Sequence, residues 1–400
     1  MPSLNNLNDS YIDWRKHHNV KGLNVVNKEE YYLDLINIEH SWSGRMDTNI
    51  GNTFVMEAEQ QLINAIELFE LGYFDCAYYS LRSAVEISTT MVFLVDMPDE
   101  ERKEYLDNWK NTKDFPMQGR MIKQLAQQGN IFVDMMAKMP QFFSDAKKLS
   151  EELNKYVHKQ GLQHFYISRN HPINQSNSQD KFIKKFEEYL QRCIGVVAIM
   201  RLAIDPFPIL LMDEEIMYRC FDSMTEPYSD AFVKKYIGEE AIEQYKKTEI
   251  YIGTYEAFMN DEKKNEAVFA VMRHRYIDST KFDEIFCQLH LLHKSDIISV
   301  LLVAACDKVV KVYCYNGFEM FFSDRHTKRT AMSWSGADFM KIAGAAERMN
   351  QIYDEAYISV FTFNDEDYFI EHNVLLDADE ISSIYESVIF GLSELELENR

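Results

Sequence analysis

The sequence predicts a mainly α protein: an N-terminal helical bundle, a helical middle region and a small C-terminal α+β domain. Three observations carry this. Long stretches before residue 205 repeat apolar residues at i, i+3, i+4 and i+7, the spacing of helices buried along one face. Glycine and proline are scarce, 14 and 8 in 400 residues, so few helices are interrupted. After Ser295 the helical period gives way to β-branched and aromatic runs bounded by turn residues.

In chain order, residues 1–28 are polar and read as a loosely tethered arm. Lys28 to His40 suits a short helix, with Asn27 as its cap and Glu30 at the third position. Thr53 is expected to cap a long helix to about Leu71 whose buried face is Val55, Ala58, Leu62, Ala65 and Phe69. Gly72 breaks it, and Leu71 to Val95 returns as the second arm of an antiparallel hairpin. Its stripe is Phe74, Ala77, Tyr78, Leu81, Val85 and Val92, while Arg82 and Glu86 lie one turn apart on another face. Pro98 and the charged run Asp99–Glu104 mark a surface connection, and Met117–Gln127 suits a further helix. After Pro140 a helix with the stripe Phe142, Ala146, Leu149, Leu153, Tyr156 and Val157 ends in Tyr-Val-His. The polar loop His171–Asp180 precedes a helix from Lys181 to about Ile204, which completes a four- or five-helix bundle. Asp205-Pro-Phe-Pro ends it.

These breaks divide the chain into an arm (1–28), a bundle (29–205), a helical middle (206–294) and an α+β domain (295–400). In the last, the apolar run Ile297–Ala304 reads as a buried strand. Val309–Tyr315 and Phe318–Phe322 form a hairpin across Asn316-Gly317, and Ala337–Ile352 reads as a helix. Ala356–Phe363 and Tyr368–Val374 make a second hairpin, and Asp379 caps a closing helix to about Leu395. A sheet of about five strands with two helices is the expected result.

Composition narrows the function classes. The six cysteines are scattered, mostly in apolar segments, as reduced buried thiols of a cytoplasmic protein would be. No apolar run approaches the roughly 20 residues a membrane helix needs, and the N-terminus lacks the apolar core of a secretory signal. The net charge is −22, with 23 basic and 28 acidic residues up to position 205 and 19 and 36 beyond it. Such a chain is a poor general binder of nucleic acid, and double-stranded DNA is not an expected ligand. Contact with RNA has to be local and belongs more naturally to the first half.

The segment GYFDCAYYSLRSAVE, Gly72 to Glu86, followed by LNKYVH, Leu153 to His158, resembles the HEPN superfamily of helical bundles. The resemblance covers roughly the first half of the chain without the arm. It implies ribonuclease, toxin, or RNA- or nucleotide-binding activity, often in antiviral defence, and bundles that pair so that their histidines face each other. The family signature is an Arg, usually followed by a polar residue, and a His four to six positions after the Arg. Carried over, the His is His158 and the polar residue Asn154, with Arg82 and Glu86 on the preceding helix. The signature Arg falls on Leu153, a departure, so the cation would come from Arg82, Arg169 or a partner subunit. Metal-independent RNA cleavage needs a base for the 2′-OH proton and a cation for the phosphorane. His158 suits the first role. Equally, it reads as a helix-ending histidine that bonds locally and favours the C-terminal dipole. A third reading is a non-catalytic interaction protein built on a degenerate bundle.

Other constellations are weaker. Arg325, His326, Lys328 and Arg329 form a basic island that suits a phosphate or acidic partner, or a solvated turn. Arg273, His274 and Arg275 form another, which a helix would splay. Cys287, His290 and His293 stand at three-residue steps on an expected helix, without a second ligand pair, so no metal is expected. The LRSAVE stretch also resembles one helix of a tetratricopeptide repeat, in a single copy. Ser-Trp-Ser-Gly occurs at Ser41–Gly44 and Ser333–Gly336 without evident meaning. P-loop, dinucleotide, nucleophile-elbow and kinase motifs are absent, so no cofactor is expected.

Overall fold

The structure is a computed structural model that describes residues 9–10, 12, 22–46, 49–165, 179–220, 224–325, 351–353, 356–372 and 374–398. It is mainly helical and divides into two compact units, Met1–Asp261 and Glu262–Arg400.

In the first unit the principal helices are α1 (Lys28–Glu39), α2 (Asn49–Glu70), α3 (Phe74–Asp96), α4 (Asp99–Lys110), α5 (Gln118–Gln128), α6 (Ile131–Lys138), α7 (Pro140–Val157) and α8 (Gln179–Leu202). The α2–α3 hairpin turns at Gly72, whose φ of 85° suits glycine alone. Every residue of the α3 stripe is buried. Phe69 of α2 stacks on Phe186 of α8 at 3.9 Å, and Tyr78 of α3 stacks on Tyr156 of α7 at 4.2 Å, so aromatic rings join the four longest helices. Asp96 accepts hydrogen bonds from the backbone N–H groups of Ile131 and Phe132, capping α6 from the end of α3. Burial pushes its pKa up, against these bonds.

Several expectations need correction. The arm is not loose at its end: Leu23 and Val25 are buried, and Glu70 accepts from the Val25 N–H and pairs with Lys28 at 2.6 Å. Asn27 does occupy the cap position of α1, but with a left-handed backbone (φ 55°), outside the β-region typical of a capping residue, and without a side-chain bond. The long helix starts at Asn49, which puts Thr53 inside it. The middle region is no domain of its own. Residues 206–261, including α9 (Glu239–Tyr245) and α10 (Glu249–Met259), bury aromatic side chains against the bundle. Tyr228 and Tyr245 donate their hydroxyls to the Ala198 and Leu202 carbonyls of α8. A π-helical turn, Val233–Ile237, lies so close that a Cβ on Gly195 would meet the Tyr236 carbonyl oxygen at 2.1 Å. Among the described residues no helix is long and apolar enough to cross a membrane.

The second unit contains α11 (Glu266–His274), β1 (Tyr276–Ile277), α12 (Lys294–Ala305), β2 (Val309–Cys314), β3 (Glu319–Ser323), β4 (Gln351–Tyr353), β5 (Ala356–Phe363), β6 (Glu366–His372) and α13 (Ala378–Glu398). The sheet order is β1-β3-β2-β6-β5-β4, with β1 parallel to β3 and the other pairs antiparallel. Both expected hairpins form. The second turns on Asn364 and Asp365, both with positive φ, a type I′ turn that matches strand twist. The expected strand Ile297–Ala304 is instead α12. It is buried on more than one side, against β2 and α13, and a run that is apolar all round has no period to read. Of the expected helix Ala337–Ile352, residues 337–350 lie outside the described residues, as does the second Ser-Trp-Ser-Gly, while Gln351 and Ile352 belong to β4. The cap of α13 is Asp377, not Asp379: its carboxylate accepts from the Glu380 N–H at 2.8 Å. None of the six cysteines is in a disulfide, but Cys76 and Cys287 are exposed, where burial was expected.

Two predictions follow from the first unit. Arg201 is fully buried, bonded to the Ser41 carbonyl and paired with Asp205 at 3.3 Å. Arg201→Met strands the buried Asp205 carboxylate and is expected to cost about 3–5 kcal/mol, read from urea unfolding. Glu59 is buried, and desolvation with some repulsion from Glu39 pushes its pKa up to about 7. A raised carboxylate disfavours the fold once ionised, so stability is lost as pH rises from about 4.5 through about 7. Glu59→Gln should therefore unfold later than wild type at pH 8, with the difference vanishing near pH 4.

Candidate functional site

Helices α3 and α7 run against each other along a polar seam. Asp75, Tyr79, Arg82 and Glu86 follow one another up one face of α3. Lys159, Val157 and Asn154 answer them down the end of α7. Asp75 pairs with Lys159 at 2.5 Å, and the Tyr79 hydroxyl donates to the Val157 carbonyl at 3.4 Å. At the centre, Arg82 donates its Nε–H to Asn154 Oδ1 at 2.8 Å and an Nη–H to Glu86 at 2.6 Å. Arg82 and Glu86 are 22% and 30% exposed, so the cluster is reachable from solvent while partly shielded from it.

The local sequence explains the end of the seam. Helix α7 stops at Val157; His158 occupies its C-cap and returns its N–H to the Asn154 carbonyl. Lys159 then turns left-handed, with φ 53°. The His158 ring is exposed, and no described residue hydrogen-bonds or ion-pairs with it. No arginine of the described residues reaches it either, and Arg169 lies outside them. The structure thus brings Arg82, Glu86 and Asn154 together and leaves His158 one helical turn away, about 6 Å along the axis. Leu153 is wholly buried in the stripe of α7.

A cavity of about 300 Å³ opens beside the cluster, with Asn154 in its wall. It was not visible in the sequence, because its lining comes from five helices.

The other candidates are placed by their contacts. The Arg325 guanidinium donates to the Val303 and Cys306 carbonyls at 2.9 and 2.7 Å, closing the C-terminus of α12. His326, Lys328 and Arg329 lie outside the described residues. Arg275 pairs with Asp296 and Glu319 at 3.0 and 3.2 Å. Cys287, His290 and His293 do not share a helix: the first ends a short one, His290 bonds Glu262 at 2.8 Å, and His293 caps α12. Among the described residues no group of three His, Cys, Asp or Glu could hold a metal.

Two buried polar groups in the sheet escaped the sequence reading. Lys311 and Glu371 lie 3.7 Å apart inside, with the Tyr313 hydroxyl donating to Glu371. Alternation along β2 and β6 could have shown them facing each other. Ser359 and His372 are bonded at 2.9 Å, and His372 Nδ1 bonds the Val374 carbonyl. A carbonyl only accepts, so Nδ1 carries the proton and Nε2 accepts from the serine. Burial lowers the His372 pKa, disfavouring the charged ring.

No family model matches the chain, and neither curated proteins nor solved structures yield a match.

Leu153 gives the prediction here. Leu153→Ala should destabilise the protein by about 2–5 kcal/mol in urea unfolding. A smaller loss than Ile→Val-scale changes bring would remove it from the core.

Proposed function

We propose that the first unit is a HEPN-type bundle acting in the cytoplasm in defence or stress, which engages RNA at the α3–α7 seam and cuts it without metal. One observation carries the reading: Arg82 is held on Asn154, so a guanidinium stands one helical turn from His158 although α7 has Leu153 where the family has Arg. In this mechanism His158 takes the proton of a ribose 2′-OH, which attacks the neighbouring phosphorus. Arg82 stabilises the charge on the phosphorane, and Glu86 and Asn154 orient it. The P–O5′ bond breaks and the 5′-oxygen leaves with the proton returned by His158, giving a 2′,3′-cyclic phosphate and a 5′-hydroxyl. Residues 102–205 carry 17 Lys and Arg against 11 Asp and Glu, a local excess that favours phosphate contacts in an otherwise acidic chain. The second unit would sense a trigger or hold a partner, and Phe318 and Phe390, 91% and 65% exposed, are candidate contacts there.

A second reading, a non-catalytic interaction scaffold acting as homodimer or regulatory subunit, draws on Glu86: it already compensates Arg82, and among the described residues no cation pairs with His158.

Purified full-length protein with total RNA and EDTA separates the two. Cleavage to cyclic-phosphate ends is expected, reduced at least 100-fold by His158→Ala and by Arg82→Ala with folding intact. Equal cleavage by wild type and His158→Ala rules out His158 as the base. Retained RNA binding without cleavage selects the scaffold.

A further inference from the structure

The cavity beside the seam has a floor and a rim. Val85 and Thr89 of α3, Phe132 of α6, Val196 and Met200 of α8 and Gln118 of α5 form the buried floor. Gly119 of α5 faces Lys147 and Glu151 of α7 at the exposed rim. At about 300 Å³ it stands at the lower end of ligand pockets, which run from about 300 to 1,000 Å³, so one or two rings fill it.

Its polar groups have fixed orientations. The Thr89 hydroxyl donates to the Val85 carbonyl at 2.8 Å, so its oxygen accepts from Gln118 Nε2 at 3.3 Å. The Gln118 carboxamide oxygen is therefore left over in the cavity wall, where no described residue bonds it and it keeps contact with solvent. A ligand N–H or O–H can take the place of water on it. On the other wall, Asn154 Oδ1 is taken by Arg82, which leaves Asn154 its amide N–H groups. The charges do not favour an ion. Lys147 and Glu151 are of opposite sign one turn apart, and the floor carries no charged side chain.

We infer that this cavity is a binding site for a small, uncharged, largely apolar ring compound that donates one hydrogen bond to Gln118. Indole and simple phenols have that chemistry. The inference is independent of the RNA reading, since binding in the cavity is measured directly and Asn154 is left unchanged.

Two variants close the cavity from opposite sides. At Gly119 a Cβ meets nothing within 4 Å, and leucine suits a helix better than glycine, so Gly119→Leu narrows the rim without strain. Val196→Phe fills the floor. Calorimetric titration of the full chain with indole should show saturable one-to-one binding. Benzofuran, the same two rings without the donor, should bind at least 10-fold more weakly. Both variants should lose indole binding while keeping the circular dichroism of the wild type. No saturable indole binding by wild type, or binding that survives both variants, overturns the site. Equal affinity for benzofuran overturns the role of Gln118 and the ligand class with it.

Discussion

Everything in the first unit answers to the burial of α3. From Ser88 to Asp96 each residue of that helix is buried, so it has no solvent face there. Such a helix needs neighbours on every side, and the bundle supplies them. It also needs its polar groups satisfied. Ser88, Thr89 and Thr90 return their hydroxyls to carbonyls three or four residues earlier, and Asp96 spends its carboxylate on the start of α6. Only the first half of α3 has an exposed side. There Arg82 and Glu86 can carry charge without the full desolvation penalty.

That division decides what could be read from the sequence. The stripes of α3 and α7 were legible because each is amphipathic over the stretch that faces the core. The Arg82–Glu86 pair was legible from its spacing of four. The bond from Arg82 to Asn154 was not: it joins residues 72 apart in sequence, and depends on how α3 and α7 are rotated against each other. Helix α12 failed for a different reason. Its residues are apolar on more than one side, so helix and buried strand predict the same string. The hairpins succeeded because turn chemistry is local: Asn364 and Asp365 adopt positive φ readily. The boundary at Asp261 was hidden because Asp205-Pro-Phe-Pro looks like an end, whereas the aromatic residues after it return to α8.

The burial of Leu153 also explains why the cation of the seam belongs to α3. Position 153 lies on the same stripe as Leu149 and Tyr156, and all three are covered by the bundle. A guanidinium there would leave water for an apolar interior, which is unfavourable by several kcal/mol unless it is fully paired. From α3 the long side chain of Arg82 lies along the interface and delivers its charge to Asn154 at the partly exposed edge. The arrangement has an electrostatic consequence. With Glu86 at 2.6 Å the resting cluster is nearly neutral, so a phosphate arriving at Arg82 has to compete with a carboxylate already in place. On the proposed reading, affinity for a lone phosphate at that position would then be weak, and further attraction would have to come from the excess of Lys and Arg over residues 102–205. Added salt would screen such a diffuse attraction more than it loosens the Arg82–Glu86–Asn154 contacts, because the latter are close and partly shielded from water.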